Sequence, residues 1–522
     1  MLNETYDVLI IGSGHSGGMA AKILTEYGIR CIILNAGPVA DVTHDAQRKH
    51  AYELPYRGFR PPGQIEHVFQ SNGFNANIWV DEREVPYTVE QNQPYNWVRV
   101  RLFGGRSLFW SRQSFRLSDY EFKAKSHDGF GEDWPVSHAD LAPYYSRVEG
   151  IFRVMGAQDG VPQLPNGNFI PDDAPWTTAL QRFIEVAKPR GIPVCKQRRA
   201  QGRDGLASSV NLLLPDAEST GKLTSIANAV VRELTVDKNT GLPNGCNFVD
   251  RLTHREMRVK ARVVVLAAGT LESTRILLNS NLANSSGLVG RYLMDQVYGP
   301  GVLASVPEAR KGNINAVMGS AAIVPRFRNI TTKTDKFLRG YAINTTASVE
   351  AVSARNFALY GAELQRKLEE YYGSGFYMTI MGEVLGRYEN HVRIDKDAKD
   401  AWGIPVLRVD TKYTDNEFHM AKDAVDTACE LAEAAGFEIL SKNDKPNPPG
   451  YSIHEVGTCR MGNDPKKSVL NKFSQSHDHK NLFVVDGAQF TSSGWQNPTM
   501  TILALSMRAS EYLAGEMTRQ NI

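Results

Sequence analysis

The amino-acid sequence predicts an α/β fold with two domains, the first built on parallel strands and the second an α+β domain built on an antiparallel sheet. Three observations lead to this prediction. A glycine-rich turn joins an apolar strand to a helix near the start of the chain, two more apolar strands occur at residues 263–269 and 481–487, and residues 392–436 combine strands, a turn and a long helix. Short, wholly apolar runs are typical of strands buried on both faces of a parallel sheet.

The composition is that of a globular protein and excludes several classes of function. The chain has 522 residues, enough for two sizeable cores. A net charge of +2 gives no reason to expect nucleic acid or an acidic membrane surface as a partner. We expect no membrane span and, because the start does not resemble a secretory signal, a cytoplasmic location. Five scattered cysteines predict neither a disulfide framework nor a metal site.

The first 34 residues follow the order strand, G-x-G-x-x-G turn, helix and strand. In this pattern Gly12 permits a tight turn, Gly14 lets a pyrophosphate approach the backbone, and Gly17 lets the helix pack on the strand. The free N–H groups and the dipole at the start of the helix then hold the phosphate charge. The unit therefore predicts a Rossmann-type domain that binds a dinucleotide.

One position departs from this pattern. An acidic residue normally follows the second strand, about 20 positions on, and bonds the ribose hydroxyls. Asn35 occupies the place here. Its amide can donate and accept, so we expect a ribose contact that is weaker than a charged one. The alternative is that Asn35 only opens the turn that follows.

We assign residues 1–311 and 453–522 to one discontinuous dinucleotide-binding domain and residues 312–452 to the second domain. In the first, segments 223–237 and 257–268 are predicted to contain strands around a turn at 239–245. A helix is expected at 272–278 and another at about 499–516. In the second, strands at 392–394 and 406–409 precede a helix that starts with the capping box Thr414-x-x-Glu417 and stops at Gly436. Residues 55–95 are either a lid or an ordinary surface excursion.

Several further blocks, in order along the chain, resemble those of the glucose–methanol–choline (GMC) oxidoreductases, and in particular the sugar-oxidising branch related to pyranose oxidase and glucoside 3-dehydrogenase. They are FGGRSLFW at 103–110, WPVSHADLAPYY at 134–145, AAGTLES at 267–273, LVGRYLMD at 288–295, HEVGTCRMG at 454–462 and NPTMT at 497–501. A set of blocks in the right order is more specific than any one of them. The resemblance implies FAD as the cofactor.

By the same resemblance, particular residues are expected to hold the FAD. Asp486 corresponds to a contact with the ribityl–diphosphate region, and Val231 to a backbone contact near the adenine. In some relatives a histidine in the glycine–glycine loop is bonded to the flavin, but no histidine lies between Gly104 and Arg116. We therefore expect non-covalent FAD. Besides Gly12, Gly14, Gly17 and Asn35, the remaining expected cofactor-binding residues are Gly104, Gly105, Ser107, Gly269, Asn497 and Thr499.

His454 and Asn497 match the family's catalytic pair. Oxidation of an alcohol removes a proton and a hydride, and a histidine can take a hydroxyl proton near neutral pH. Asn497 does not titrate and is expected to hold the substrate oxygen. Trp495 is expected either to stack on a sugar ring or to cover the flavin. Other histidines, including His15 in the phosphate turn, are interpreted as structural or exposed.

The resemblance implies oxidation of a secondary hydroxyl of a sugar or glycoside to a ketone, with carbon 3 as the preferred position. The alternatives are an FAD-containing lyase of the hydroxynitrile-lyase type, an oxidase of a non-sugar alcohol, and a flavin-binding module without activity. The electron acceptor could be oxygen, a quinone or a cytochrome, and a small accessory subunit is a candidate partner. The sequence does not choose between oxidase and dehydrogenase.

Overall fold

The computed structural model describes residues 4–39, 49–64, 68–69, 71–317, 321–348 and 352–522. Within these residues the strands and helices are numbered in chain order. The strands β1 to β22 are Thr5–Ile11, Cys31–Leu34, Thr88–Val89, Val154–Gly156, Ile170–Pro171, Cys195–Lys196, Arg199–Ala200, Leu223–Ile226, Ala229–Val236, Pro243–Asp250, Glu256–Leu266, Arg291–Met294, Gln296–Val297, Gly301–Ser305, Ala322–Val324, Tyr341–Ser348, Gly375–Glu383, His391–Lys399, Pro405–Asp410, Glu438–Asn443, Val456–Thr458 and Leu482–Val484. The helices α1 to α11 are His15–Glu26, Asp119–Phe122, Ala124–Asp128, His138–Phe152, Thr178–Ala187, Ser209–Leu212, Leu214–Ser219, Thr270–Ser280, Gly361–Tyr371, Asp415–Ala434 and Thr499–Thr518.

The first sheet confirms the predicted Rossmann-type unit. Its strand order is β8-β2-β1-β11-β10-β9, with β22 also pairing with β11. Strands β8, β2, β1, β11 and β22 run parallel, and β11, β10 and β9 form an antiparallel extension. The apolar β1 and β2 are buried on both faces, as their sequences predict. Helix α1 packs against α11, where the Ser506 hydroxyl donates to the carbonyl of Ser16.

The sequence-based turn at 239–245 was wrong in its extent, because β10 already begins at Pro243. The turn itself is closed by the Asp237 carboxylate, which accepts from the backbone of Asn239 and Thr240. Gly245 lies inside the strand at an irregularity in its pairing. A Cβ at Gly245 would lie 1.9 Å from the carbonyl oxygen of Val259, so glycine marks a close approach of two strands rather than a turn.

The predicted α+β part is built on a seven-stranded antiparallel sheet, β20-β14-β17-β16-β15-β6, with β13 also pairing with β17. Its strands β6, β13 and β14 come from residues before 312. The boundary at 311/312 stays a prediction, and the sheet recruits strands from both sides of it. Helix α5 belongs to the same core, since Leu180 and Phe183 cluster with the sheet. These contacts are long-range in sequence, so no local pattern marks them.

The hairpin predicted at 392–409 forms, but β18 and β19 join a different five-stranded sheet, β21-β12-β18-β19-β3. The helix that follows is α10, and it packs on the antiparallel sheet. Its capping box is present, since the Thr414 N–H and hydroxyl both donate to the Glu417 carboxylate at 2.9 Å. Gly436, with a φ of 77°, follows the end of the helix.

Across the part of the chain that is described, no helix combines the length and apolar character needed to cross a membrane. The five cysteines are all buried and unpaired.

Candidate active site

A cavity of about 500 Å³ lies at the carboxyl ends of β1, β2 and β11. This edge of a parallel sheet is where α/β proteins usually bind their ligands. Its wall combines the first turn of the chain with residues 451–455 and 497–502 near the other end. Of the residues expected to bind cofactor or substrate, all but Gly17, Gly104 and Trp495 line this cavity.

The three glycines of the phosphate turn have different reasons to be glycine. A Cβ at Gly12 would lie 2.3 Å from the Ala267 carbonyl oxygen, and one at Gly17 would lie 1.8 Å from that of Gly12. Packing of the protein on itself therefore requires both. Gly14 has an ordinary φ of −65°, and a Cβ there would meet nothing closer than the Gly104 carbonyl oxygen at 3.8 Å. Gly14 lines the cavity, and its expected approach to a bound phosphate stays a prediction.

The side chain of Asn35 connects this turn to neighbouring loops. Its Oδ1 accepts from the Ser13 hydroxyl at 2.9 Å, and its Nδ2 donates to the Gly37 carbonyl at 3.2 Å. The Ser13 oxygen in turn accepts from the N–H of Gly104 at 2.8 Å. The bond to Gly37 matches the turn interpretation. Asn35 also lines the cavity, and its ribose contact stays a prediction.

The glycine–glycine loop forms a second wall. Gly104 and Gly105 both have positive φ, 97° and 54°. The Ser107 hydroxyl donates to the Gly104 carbonyl at 2.6 Å and accepts from the Ser209 N–H at 3.0 Å, so it closes the turn. Gly105 and Ser107 line the cavity, and Gly104 supports them from behind.

Asp486 joins two elements beside the cavity. Its carboxylate accepts from the N–H of Gly269 at 3.0 Å, the hydroxyl of Ser273 at 2.5 Å and the N–H of Ala488 at 3.0 Å. Burial raises the pKa of Asp486, and these hydrogen bonds oppose the rise. Asp486 and Gly269 therefore meet at the start of α8, and both line the cavity.

Two further residues complete the cavity wall. Val231 on β9 lines the cavity. Thr499 is the first residue of the 20-residue helix α11, whose first turn lines the cavity. The positive end of a helix dipole stabilises negative charge placed near it.

The two expected catalytic residues are in contact. The Nε2 of His454 and the Nδ2 of Asn497 are 3.1 Å apart, although the residues are far apart in sequence. Asn497 is buried, and its Oδ1 has no hydrogen-bond partner among the described residues. Burial, assisted by the positive charge of Arg106, lowers the pKa of His454 to about 3. The ring is therefore neutral near pH 7 and has one nitrogen available as an acceptor.

The backbone around His454 is held on both sides. The Arg106 guanidinium donates to the Glu455 carboxylate at 2.6 Å and to the Ile453 carbonyl at 3.0 Å. The Asp295 carboxylate accepts from the N–H of His454 at 3.0 Å. Sequence analysis did not identify Arg106 as a site residue, although it lies inside the FGGRSLFW block. Its partner is more than 300 positions away, and no local pattern indicates such a contact.

The expectation for Trp495 was wrong. Its ring is fully buried against Phe115, with centroids 5.4 Å apart, and does not line the cavity. Other aromatic side chains occupy the wall near His454 instead. Phe69 stacks on Tyr451 with centroids 3.7 Å apart, and Tyr298 stacks beside Tyr451 at 6.0 Å.

The excursion at 55–95 contributes Phe69 and Trp79 to the cavity wall. Residues 65–67 and 70 of this excursion lie outside the described residues, and its role as a lid stays a prediction.

Phe109, Trp110 and His15 also line the cavity. The His15 ring contacts Trp110 with centroids 4.8 Å apart, and burial lowers its pKa to about 4. A neutral ring packed in this way fits the structural role expected for His15.

A cavity at the carboxyl edge of a Rossmann-type sheet, with a neutral histidine on its wall, is typical of enzymes that use a bound nucleotide cofactor. Comparison with known proteins identifies the family. Two domain profiles, both described as GMC oxidoreductase, match residues 6–298 and 387–506. The chain belongs to the GMC oxidoreductase family.

Individual relatives are similar over nearly the whole chain. The 2-methyl-1,2-propanediol dehydrogenase of Mycolicibacterium austroafricanum is 28% identical, covering 97% of this chain and 95% of its own. The fructose dehydrogenase large subunit of Gluconobacter japonicus is 28% identical, covering 99% of both. A C-glycoside 3-oxidase of Microbacterium trichothecenolyticum is 24% identical, covering 98% and 97%. The solved structure of a pyridoxine 4-oxidase has a TM-score of 0.62 at 19% identity, over 97% of this chain and 99% of that one.

The protein is thus an FAD-dependent oxidoreductase that acts on alcohols. The cavity fits this cofactor, because the start of helix α1 lines it, a helix start favours phosphate groups, and a Cβ at Gly14 would meet no protein atom closer than 3.8 Å.

Proposed function

We propose that the protein oxidises a secondary hydroxyl of a sugar or glycoside to a ketone, with carbon 3 as the preferred position. The observation that carries the proposal is the contact between a neutral His454 and Asn497 on the cavity wall. A base and an amide at hydrogen-bond distance match the two demands of alcohol oxidation, which are to accept the hydroxyl proton and to hold the oxygen.

The substrate hydroxyl enters between the two side chains. Its proton passes to the Nε2 of His454, while an N–H of Asn497 donates to its oxygen. When bound, FAD supplies the hydride acceptor at flavin N5. The neutral ring of His454 is able to accept the proton.

The cavity wall near His454 supports a ring-shaped, hydroxylated substrate. The aromatic faces of Tyr298, Tyr451 and Phe69 offer apolar contact for the C–H face of a sugar ring. The amides of Gln113 and Asn344 line the same cavity and offer hydrogen bonds to hydroxyl groups. The fructose dehydrogenase and C-glycoside 3-oxidase similarities favour the same substrate class.

We also propose that FAD is held without a covalent bond, by Gly12, Gly14, Gly17, Asn35, Gly104, Gly105, Ser107, Val231, Gly269, Asp486, Asn497 and Thr499. In this proposal Gly17 and Gly104 act through the packing of the turns that they support. The electron acceptor is proposed to be oxygen, a quinone or a cytochrome. One relative is named a large subunit, which supports a small accessory subunit as a partner.

The test is anaerobic reduction of the bound flavin by a panel of compounds. We expect glucosides and free pyranoses to bleach the flavin absorbance, and the product of a glucoside to be its 3-keto derivative by NMR. The panel includes a 1,2-propanediol, because one relative is named a 2-methyl-1,2-propanediol dehydrogenase. Bleaching by 1,2-propanediols or simple alcohols alone would refute the sugar assignment. A subsequent addition of oxygen or a quinone identifies the acceptor.

A further inference from the structure

Gln296 is a buried residue that neither the sequence nor the proposed reaction assigns, and it contacts His454 and the segment that precedes Asn497. Its Oε1 lies 2.7 Å from the Nδ1 of His454. Its Nε2 donates to the carbonyls of Gly494 at 2.9 Å and Gln496 at 2.8 Å, in the segment that leads directly into Asn497. It follows Asp295, which binds the backbone of His454.

The direction of the Gln296 amide is fixed by its partners. Two carbonyl oxygens face one end of the amide, and carbonyls can only accept, so the NH₂ group must lie at that end. The oxygen therefore points at His454. Strand β13 holds the backbone of Gln296 in the antiparallel sheet, paired with Glu383. The amide cannot turn over without losing both donor bonds.

An acceptor at Nδ1 determines where the single proton of a neutral imidazole resides. Because the Oε1 of Gln296 can only accept, the proton must be on Nδ1, and Nε2 keeps its lone pair. Asn497 does not make this choice. Its Oδ1 lacks a partner among the described residues, so its amide could present either oxygen or NH₂ to Nε2.

We propose that Gln296 is a positioning residue that fixes His454 as the Nδ1–H tautomer, so that Nε2 faces the substrate as a base, and that ties this ring to the segment carrying Asn497. The proposal rests on the proposed role of His454. It adds that the base is prepared before substrate arrives, by a residue that does not line the cavity. Without this acceptor, Nε2 can carry the proton and cannot accept another.

Two variants separate the two ends of the amide. Gln296→Met removes the acceptor for His454 and also the donors to Gly494 and Gln496. Gln296→Glu keeps an acceptor for Nδ1 but, as a carboxylate, removes those donors. The matched control is Ser493→Ala, which deletes a buried hydrogen bond from the same segment to the Val384 carbonyl, 3.2 Å long, without touching His454.

The first measurement is ¹⁵N NMR of the FAD-loaded enzyme labelled at histidine, with the His454 signals identified by their loss in His454→Ala. We expect the Nδ1–H tautomer in wild type, Ser493→Ala and Gln296→Glu, and the Nε2–H tautomer in Gln296→Met. Anaerobic flavin reduction is expected to slow at least about tenfold in Gln296→Met with FAD content unchanged. An Nδ1–H tautomer that persists in FAD-loaded Gln296→Met overturns the proposal.

The second measurement is the pH dependence of flavin reduction in Gln296→Glu, which serves if Gln296→Met does not fold. The charged groups near the ring are Arg106, Glu455 and Asp295, and all three stay in place. A new carboxylate beside Nδ1 stabilises the imidazolium. The acidic limb of the pH–rate profile of flavin reduction should therefore move up by about 1 to 3 pH units. An unmoved limb counts against the contact. The NMR experiment measures the tautomer and does not depend on the rate of flavin reduction. A normal rate in His454→Ala would refute the role of His454 as the base, and the tautomer assignment would still be tested by NMR.

Discussion

Replacing Gly14 with alanine separates the requirements of the fold from those of the cofactor. The backbone at Gly14, with φ −65° and ψ −168°, is one that alanine adopts without strain. The added Cβ would have no protein atom closer than 3.8 Å. The FAD-free protein should therefore gain about 0.4 to 1 kcal/mol of stability, through the lower entropy of its unfolded chain.

Gly14 lines the cavity in which the pyrophosphate is proposed to lie, so an added methyl group would crowd a bound pyrophosphate. Overpacking a close contact typically costs about 1 to 3 kcal/mol. The expected loss of FAD affinity is therefore about 5- to 150-fold. The larger Gly14→Val should give colourless protein. The control is Gly17→Ala, whose Cβ would lie 1.8 Å from the Gly12 carbonyl oxygen and should destabilise the FAD-free protein.

Thermal unfolding of the FAD-free proteins measures the change in stability. Titration with FAD, followed by flavin fluorescence, measures the change in FAD affinity. We expect Gly14→Ala to unfold at or above the wild-type temperature and to bind FAD more weakly. Gly17→Ala should unfold below it. Wild-type FAD affinity in Gly14→Ala, or a loss of stability equal to that of Gly17→Ala, would refute the reasoning.

Five further predictions concern the catalytic pair and the cofactor. His454→Ala should slow anaerobic flavin reduction by about 10²- to 10⁴-fold with FAD retained, and a wild-type rate would remove this base. Asn497→Ala should be slowed less in the same stopped-flow assay, because it loses a hydrogen bond and no base. The wild-type rate of flavin reduction should stay level from about pH 8 to about pH 5, because the pKa of His454 is lowered to about 3 and its ring stays neutral. A fall in rate centred on the ordinary histidine pKa of about 6.5 would contradict this. Acid precipitation should release all the FAD into the supernatant, and yellow colour in the pellet would show a covalent bond. Asn35→Ala should weaken FAD binding by about 1 kcal/mol, whereas unchanged affinity would leave Asn35 only its role in the turn.

Local patterns predicted the parts of this molecule whose causes are local. The N-terminal unit was readable because the contact that requires Gly17, with the carbonyl oxygen of Gly12, lies within one strand–turn–helix segment. The start of α10 was readable because Thr414 and Glu417 cap the helix within a single turn. In both cases the residues that determine the structure are neighbours in the sequence.

The rest depended on contacts between distant segments. Gln296 contacts His454 across 158 positions, and nothing in its own neighbourhood marks it as a site residue. Trp495 lies two positions before Asn497 yet packs into the core, because side chains that are close in sequence can face opposite sides. The membership of β6 in the antiparallel sheet is likewise decided by tertiary pairing with β15.

The cavity draws its walls from the first turn of the chain and from residues up to Ile502, and α11 packs directly on α1. During synthesis the N-terminal segment leaves the ribosome long before its C-terminal partners exist. The turn at 12–17 can form early, but the wall of the cavity is complete only when α11 has been released. Ribosome-bound chains stalled before residue 480 should therefore retain no FAD.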